Sequence, residues 1–237
     1  MDIQVQYRSA AGRTCRDEPA GLRGVPLEER QPLSEPRAYK GRGSILTKWA
    51  SATTGQVVWC ASTVQMDAAM LLDFDADIVC FQSRVVQVHW ELDGRRGTVE
   101  PAFVARTRDE RRLVFAHTPR DETGMEERVL QQAAEGAGWE VRPLQVPHGV
   151  LRDSLEGAAH FSGQEFAADD HVRRVLLEVF AVPRPLQAGA AASGLGLKAA
   201  GYAWHLVWTG ELTWDWTKPL LPTSPVWVSQ AAPAEEV

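Results

Sequence analysis

Apolar and polar side chains alternate through DIQVQYR, residues 2–8, and predict a first strand. From Ser9 to Ser44 the chain turns rich in Pro, Gly, Arg and Glu, which predicts an irregular and largely exposed segment. A turn at Thr53-Thr54-Gly55 leads into a short strand, QVVWC. In ASTVQMDAAMLLDFD, Val64, Ala68, Leu71 and Leu72 recur at helical spacing behind Ser62 as N-cap, so a helix is predicted with Gln65 and Asp67 in its early turns. Four strand-like runs follow, IVCFQ, VVQVHWEL, VEPAFVAR and RLVFAH, the later ones joined by the hairpin signals DGRRG and TRDER. A helix over Glu122–Ala137 ends at Gly138, WEVRPLQV reads as a strand, and HGVLRDSLEGAAHF as a shorter helix. The order predicts a mixed α/β core with a central sheet.

The composition changes after Phe161. SGQEFAADD reads as a linker, and HVRRVLLEVFAV as an amphipathic helix stopped by Pro183. PLQAGAAAS and LKAAGYAWHLVW predict two more helices, with the glycines of SGLGLKAAG as the turn between them rather than a nucleotide loop. GELTWDW and PVWVSQ, joined through KPLLPTS, predict a hairpin. Three helices and a hairpin in this order indicate a winged helix-turn-helix. Trp214 and Trp216 fall on one hairpin face, where they stack on a ligand or, more simply, roof a small core. The tail at 231–237 is expected to be disordered.

With 237 residues, 44% hydrophobic and 24% charged, the chain has the balance of an ordinary soluble protein. A formal net charge of −6 leaves nucleic-acid binding to a local basic patch. Arg37, Lys40 and Arg42 beside Tyr39 form one candidate, read either as a phosphate contact or as a solvated loop. Cys15, Cys60 and Cys80, odd in number and without C-x-x-C spacing, argue against a disulfide framework or a structural zinc site. The N-terminus lacks a signal-peptide core and no run is long enough to cross a bilayer, so a cytoplasmic protein is expected. No G-x-S-x-G or other nucleophile signature occurs.

The run from SATTGQVVWC through AMLLDFDADIVCFQSR to VEPAFVAR resembles the N-terminal domain of TnsA-type heteromeric transposase endonuclease subunits, the actinobacterial version above all. The likeness extends from the opening strand to the C-terminal hairpin. It implies a restriction-endonuclease-like α/β fold, a mixed central sheet flanked by helices, plus a C-terminal winged-helix-like domain. The implied layout is a strand and irregular segment at 1–52 packing on the core, a nuclease-fold domain at 53–162, the winged-helix-like domain at 163–230 and the tail at 231–237. In the family a helix Glu, the Asp of a P-D-F strand and an acid with a Lys on the next strand gather magnesium, which activates water and offsets charge on the phosphorane.

The matching positions in this chain are Gln65, Ala102 within Glu100-Pro101-Ala102-Phe103, and Ala116-His117-Thr118. The family's Q-P after LDFD is replaced by Ser83-Arg84-Val85. The resemblance with these departures implies a subunit without a cofactor that does not cleave DNA by the family mechanism. Asp67 lies two residues from Gln65, off its helical face, and Glu100, two residues before Ala102, is expected to share its strand face with His117 nearby. An active, divergent Mg²⁺-dependent endonuclease using Glu100, Asp67 and a partner's residues, with His117 beside Glu100 as a nitrogen ligand, is the alternative. A structural or regulatory protein that keeps only the fold is a third reading. The partners implied are a transposase subunit or an AAA+ ATPase regulator. Duplex DNA is a further candidate through Arg173, Arg174 and Lys198, and no membrane is implied.

Overall fold

The structure, a computed structural model, describes residues 1–35, 43–117 and 124–229. It is a mixed α/β protein with several sheets and, among the described residues, six α-helices. In chain order the elements are β1 (Asp2–Arg8), β2 (Thr14–Asp17), β3 (Thr47–Ala50), β4 (Val57–Cys60), α1 (Thr63–Phe74), β5 (Ile78–Gln82), β6 (Val86–Leu92), β7 (Arg95–Val99), β8 (Phe103–Thr107) and β9 (Arg112–Ala116). Then come α2 (Met125–Ala137), β10 (Glu140–Pro143), α3 (Gly149–Ala159), α4 (Asp170–Val179), β11 (Arg184–Pro185), α5 (Leu186–Ala192), α6 (Ala199–Trp208), β12 (Leu212–Trp214) and β13 (Pro225–Val228). Contacts divide the chain into two units, Met1–Asp73 with Asp77–Val146, and Phe74–Ala76 with Pro147–Val237.

The first unit holds two four-stranded sheets. One has the order β2-β1-β6-β7 and is antiparallel throughout. The other, β10-β9-β8-β5, is mixed: β9 and β10 run parallel and the remaining pairs antiparallel. The period of two along β8 and β9 sends their side chains to two different cores. Val104, Val114 and Ala116 pack with Val129, Leu130, Ala133 and Ala134 of α2 and with Val5 and Val88 of the other sheet. Phe103, Ala105, Leu113 and Phe115 pack with Ala68, Ala69 and Leu72 of α1. A sheet buried on both faces reads as a near-continuous apolar run, which is how RLVFA reads.

Two expectations are corrected here. VEPAFVAR is not one strand: β7 stops at Val99, β8 starts at Phe103, and Glu100-Pro101-Ala102 crosses from one sheet to the other. Pro101 has no N–H to give a ladder, so the break falls on it. The segment from Ser9 is also more ordered than its composition indicates. It contains β2 and two 3-10 turns, Pro19–Leu22 and Leu27–Glu29, and it buries Leu22 and Leu27 completely. Pro19 lies where Gly136 of α2 lacks a side chain, since a Cβ there would stand 2.7 Å from the Pro19 Cβ, and Arg23 Nε donates to Gly136 O at 2.9 Å. The buried Glu28 carboxylate accepts from Arg106 Nε at 2.9 Å and holds the second turn to β8. Asp93 and Gly94, both at positive φ, make the tight turn between β6 and β7 that the D-G signal predicts.

In the second unit, α4, β11, α5, α6, β12 and β13 follow one another, and the three strands form an antiparallel sheet in the order β11-β13-β12. Asp169 caps α4 by accepting from Val172 N at 2.8 Å. Gly194 and Gly196, with φ of 72° and 78°, turn the chain between α5 and α6. Helix α6 is apolar nearly all round and buried from Ala203 to Trp208. Its outer side is covered from within the unit: Phe161 stacks on Trp204 with centroids 5.5 Å apart, and His205 Nδ1 meets Phe161 O at 2.7 Å. Trp214 is buried and Trp216 is half-exposed. No helix among the described residues is long and apolar enough to cross a membrane.

Candidate functional site

The positions that would carry metal chemistry lie at the N-terminus of α1, at the crossing between β7 and β8, and at the end of β9. Ser62 caps α1, its Oγ accepting from Gln65 N at 3.1 Å. The Gln65 side chain is 5% exposed and both its polar atoms are bonded. Oε1 accepts the Ala61 N–H at 2.6 Å, and Nε2 donates to Ala102 O at 2.8 Å. One partner is a donor and the other an acceptor, so an amide satisfies both where a carboxylate could not, and its orientation is fixed by them. Ala102 is itself held to β9, its N–H donating to Phe115 O at 2.8 Å.

Gln65 and Ala102 are therefore brought together directly, but Ala116 is not part of the pair. It faces the core with Val104, Val114 and α2, on the side of the sheet away from Phe115 and α1. On the α1 side β9 presents Phe115, and His117 beyond it lines the same groove as Gln65. That groove, about 480 Å³, is bounded by Ser62, Thr63, Val64, Gln65, His117 and Leu144, with Gly43, Ser44 and Ile45 at its margin. Ile45 and Val64 are exposed there. Thr118 lies outside the described residues.

Glu100 does not share a strand face with Ala102, because it lies beyond the end of β7 and outside β8. Its carboxylate is engaged elsewhere, paired with Arg84 Nη1 at 2.8 Å and accepting from Gln87 Nε2 at 3.1 Å. Asp67 is half-buried on α1, off the Gln65 face. As a ligand set, an amide with both polar atoms bonded, two methyl side chains and an imidazole does not fit a hard divalent cation, which needs charged oxygens to replace its hydration.

The residues that position this region include one that the motifs did not single out. Asp73, the first acid of LDFD, is buried, and its carboxylate takes four donors: Ser51 Oγ at 2.6 Å, Ala52 N at 2.9 Å, Trp49 Nε1 at 3.0 Å and Thr53 N at 3.0 Å. The conspicuous SATTG and LDFD runs are thus two halves of one hydrogen-bonded latch, fixing the turn that carries β3 into β4. The three cysteines are free thiols, and burial pushes Cys60 up to about 12 and Cys80, with Glu28 and Glu29 adding to the effect, up to about 11.

Of the candidate DNA- or partner-binding cations, Arg37, Lys40 and Arg42 lie outside the described residues. Arg173 on α4 is tied to Glu211, Arg174 stands 3.4 Å from the His171 ring, and Lys198 is exposed at the N-cap position of α6. No protein-family model matches the chain, and no curated protein sequence matches it.

Proposed function

We propose that this chain is a TnsA-like subunit of restriction-endonuclease-like fold that has lost strand cleavage and acts as a binding scaffold in a DNA-transposition or related DNA-processing complex, in the cytoplasm. The observation that carries the reading is Gln65, whose amide joins Ala61 N–H to Ala102 O at the place where the family resemblance calls for two carboxylates. The mixed four-stranded sheet with α1 on one face and α2 on the other supports the fold assignment. The succession helix, strand, helix, helix, strand, strand over residues 170–228, with β13 between β11 and β12, supports a winged-helix-like second unit.

The partner class follows from chemistry. In a winged helix that reads DNA, the helix after the turn presents polar side chains to base edges. Here α6 is apolar and covered, so the unit offers a groove of DNA little to read. Residues 147–229 carry eight acidic and six basic side chains, which does not favour a polyanion. The scaffold role is therefore one of protein contact, with a transposase subunit or an AAA+ ATPase regulator, and duplex DNA is held mainly by those partners. Titration of the purified chain with MgCl₂ and MnCl₂ by calorimetry, with a duplex-DNA shift assay run in parallel across salt concentrations, tests this. The proposal expects no saturable cation heat and at most weak DNA binding. Stoichiometric cation binding, or tight DNA binding with a steep salt slope, overturns it.

A further inference from the structure

Three tryptophans of the second unit gather around one ring. Phe74, which belongs to that unit, has its centroid 5.6 Å from Trp208, 6.3 Å from Trp214 and 5.9 Å from Trp216, with interplanar angles of 63°, 67° and 62°. All three contacts are edge-to-face, the arrangement in which the positive edge of one ring meets the negative face of another. Phe74-Asp75-Ala76 is separate in sequence from the rest of the unit, which begins at Pro147. The unit thus builds a box from the end of α6 and the β12 region and receives into it a side chain from a distant stretch, as an interface pocket receives an aromatic anchor.

The walls are held by bonds that do not involve Phe74. Trp214 Nε1 donates to Lys218 O at 3.3 Å, Trp216 Nε1 donates to Thr213 Oγ1 at 3.2 Å, and the two indoles stack with centroids 5.6 Å apart. Trp208 and Trp214 are buried, Trp216 is 49% exposed, and Phe74 is only half-buried, so solvent reaches the occupied box. We propose that the Trp208–Trp214–Trp216 box is a peptide-recognition site for a phenylalanine anchor, filled in cis by Phe74 and open to a partner protein's phenylalanine when Phe74 leaves. The inference stands apart from the nuclease-fold reading, since it uses only the rings of the second unit. While Phe74 is seated, an incoming ring competes with it, and the apparent affinity falls by the fraction of boxes that are open.

The test uses the full chain and a synthetic peptide, MLLDFDADI, which copies residues 70–78, with tryptophan emission as the readout. Phe74→Ala is expected to bind the peptide saturably, and the wild type at least about tenfold more weakly. A peptide with Ala in place of its Phe should not bind, and adding Trp216→Ala to the Phe74→Ala chain should abolish binding. Should Phe74→Ala fail to fold, the wild-type chain carries the test at excess peptide, where it should bind the phenylalanine peptide weakly and the alanine peptide not at all. A folded Phe74→Ala chain that does not bind the peptide, or a wild-type chain that does not distinguish the two peptides, overturns the proposal. Equal binding of the alanine peptide, or binding that survives the loss of Trp216, does so too.

Discussion

Replacing Gln65 by Glu is the most discriminating perturbation of the first unit, because it introduces a carboxylate while changing only one atom's hydrogen-bonding sense. The Ala61 N–H keeps its acceptor, but Ala102 O loses its donor and faces a second oxygen where 2.8 Å now separates donor from acceptor. Leaving a buried carbonyl unpaired costs about 1–3 kcal/mol. Desolvating the new carboxylate at a position that is 5% exposed adds to this, so a loss of about 2–4 kcal/mol is expected at pH 7.5. Both terms vanish if the carboxyl is protonated, since its O–H then donates to Ala102 O. The folded-state pKa of the introduced carboxyl is thereby raised above its unfolded value of about 4.3. Between those two values the folded chain binds more protons than the unfolded one, so the variant is near wild type below about pH 4.3 and loses stability as pH rises through the folded pKa. Gln65→Met, which removes both hydrogen bonds without adding a titrating group, should be destabilised equally at both ends of the range. The assay is urea unfolding followed by far-ultraviolet circular dichroism at several pH values spanning the acid and neutral range. A Gln65→Glu chain as stable as wild type at neutral pH, or one whose deficit does not shrink on acidification, refutes the account of Gln65 as a fixed amide bridge.

Three other outcomes follow from particular side chains. Asp73→Asn turns one acceptor oxygen into a donor facing donors, and it should cost about 2–4 kcal/mol in chemical unfolding with altered Trp49 emission. His89 has its pKa lowered, first by burial and then by Arg16, and its Nε2 has no hydrogen-bond partner among the described residues. Because the unfolded chain takes up that proton first, stability should fall as pH drops below about 6.5, and His89→Gln should flatten the thermal midpoint between about pH 5 and 7. With its thiol pushed up to about 12, Cys60 should stay unreactive toward a disulfide reagent at mildly alkaline pH until the chain is unfolded, whereas a native-state rate matching that of Cys15 would contradict its burial.

The regular elements were legible where one local signal dominated. Period-two alternation located β1, helical spacing with Ser62 located α1, and the Asp93-Gly94 pair located the β6–β7 turn. The sequence was less legible where long-range contacts outweighed composition. Leu22, Leu27 and Glu28 sit in a stretch that reads as loop, yet they are buried by α2 and by Arg106, partners far along the chain. Composition changes after Phe161 while contacts divide at Pro147, since α3 packs with α6. At the candidate site, the family resemblance matched Gln65, Ala102 and Ala116 to one cluster; Gln65 and Ala102 do meet, but Ala116 faces the other core, and a strand offset by one residue reverses its face. A structural role for Gln65 was present in the sequence as Ser62-x-x-Gln65, the spacing of a capping box. Its side chain reaches one residue further back than that motif requires, to Ala61.

The Gln65 amide bridge stands where the TnsA resemblance expects a cation cage, and plasmid cleavage tests that proposed reading most directly. Purified chain incubated with supercoiled DNA and Mg²⁺ or Mn²⁺ should leave the supercoiled band unchanged, as should its Gln65→Ala variant. Metal-dependent conversion to nicked or linear DNA that disappears in Gln65→Ala would contradict the account.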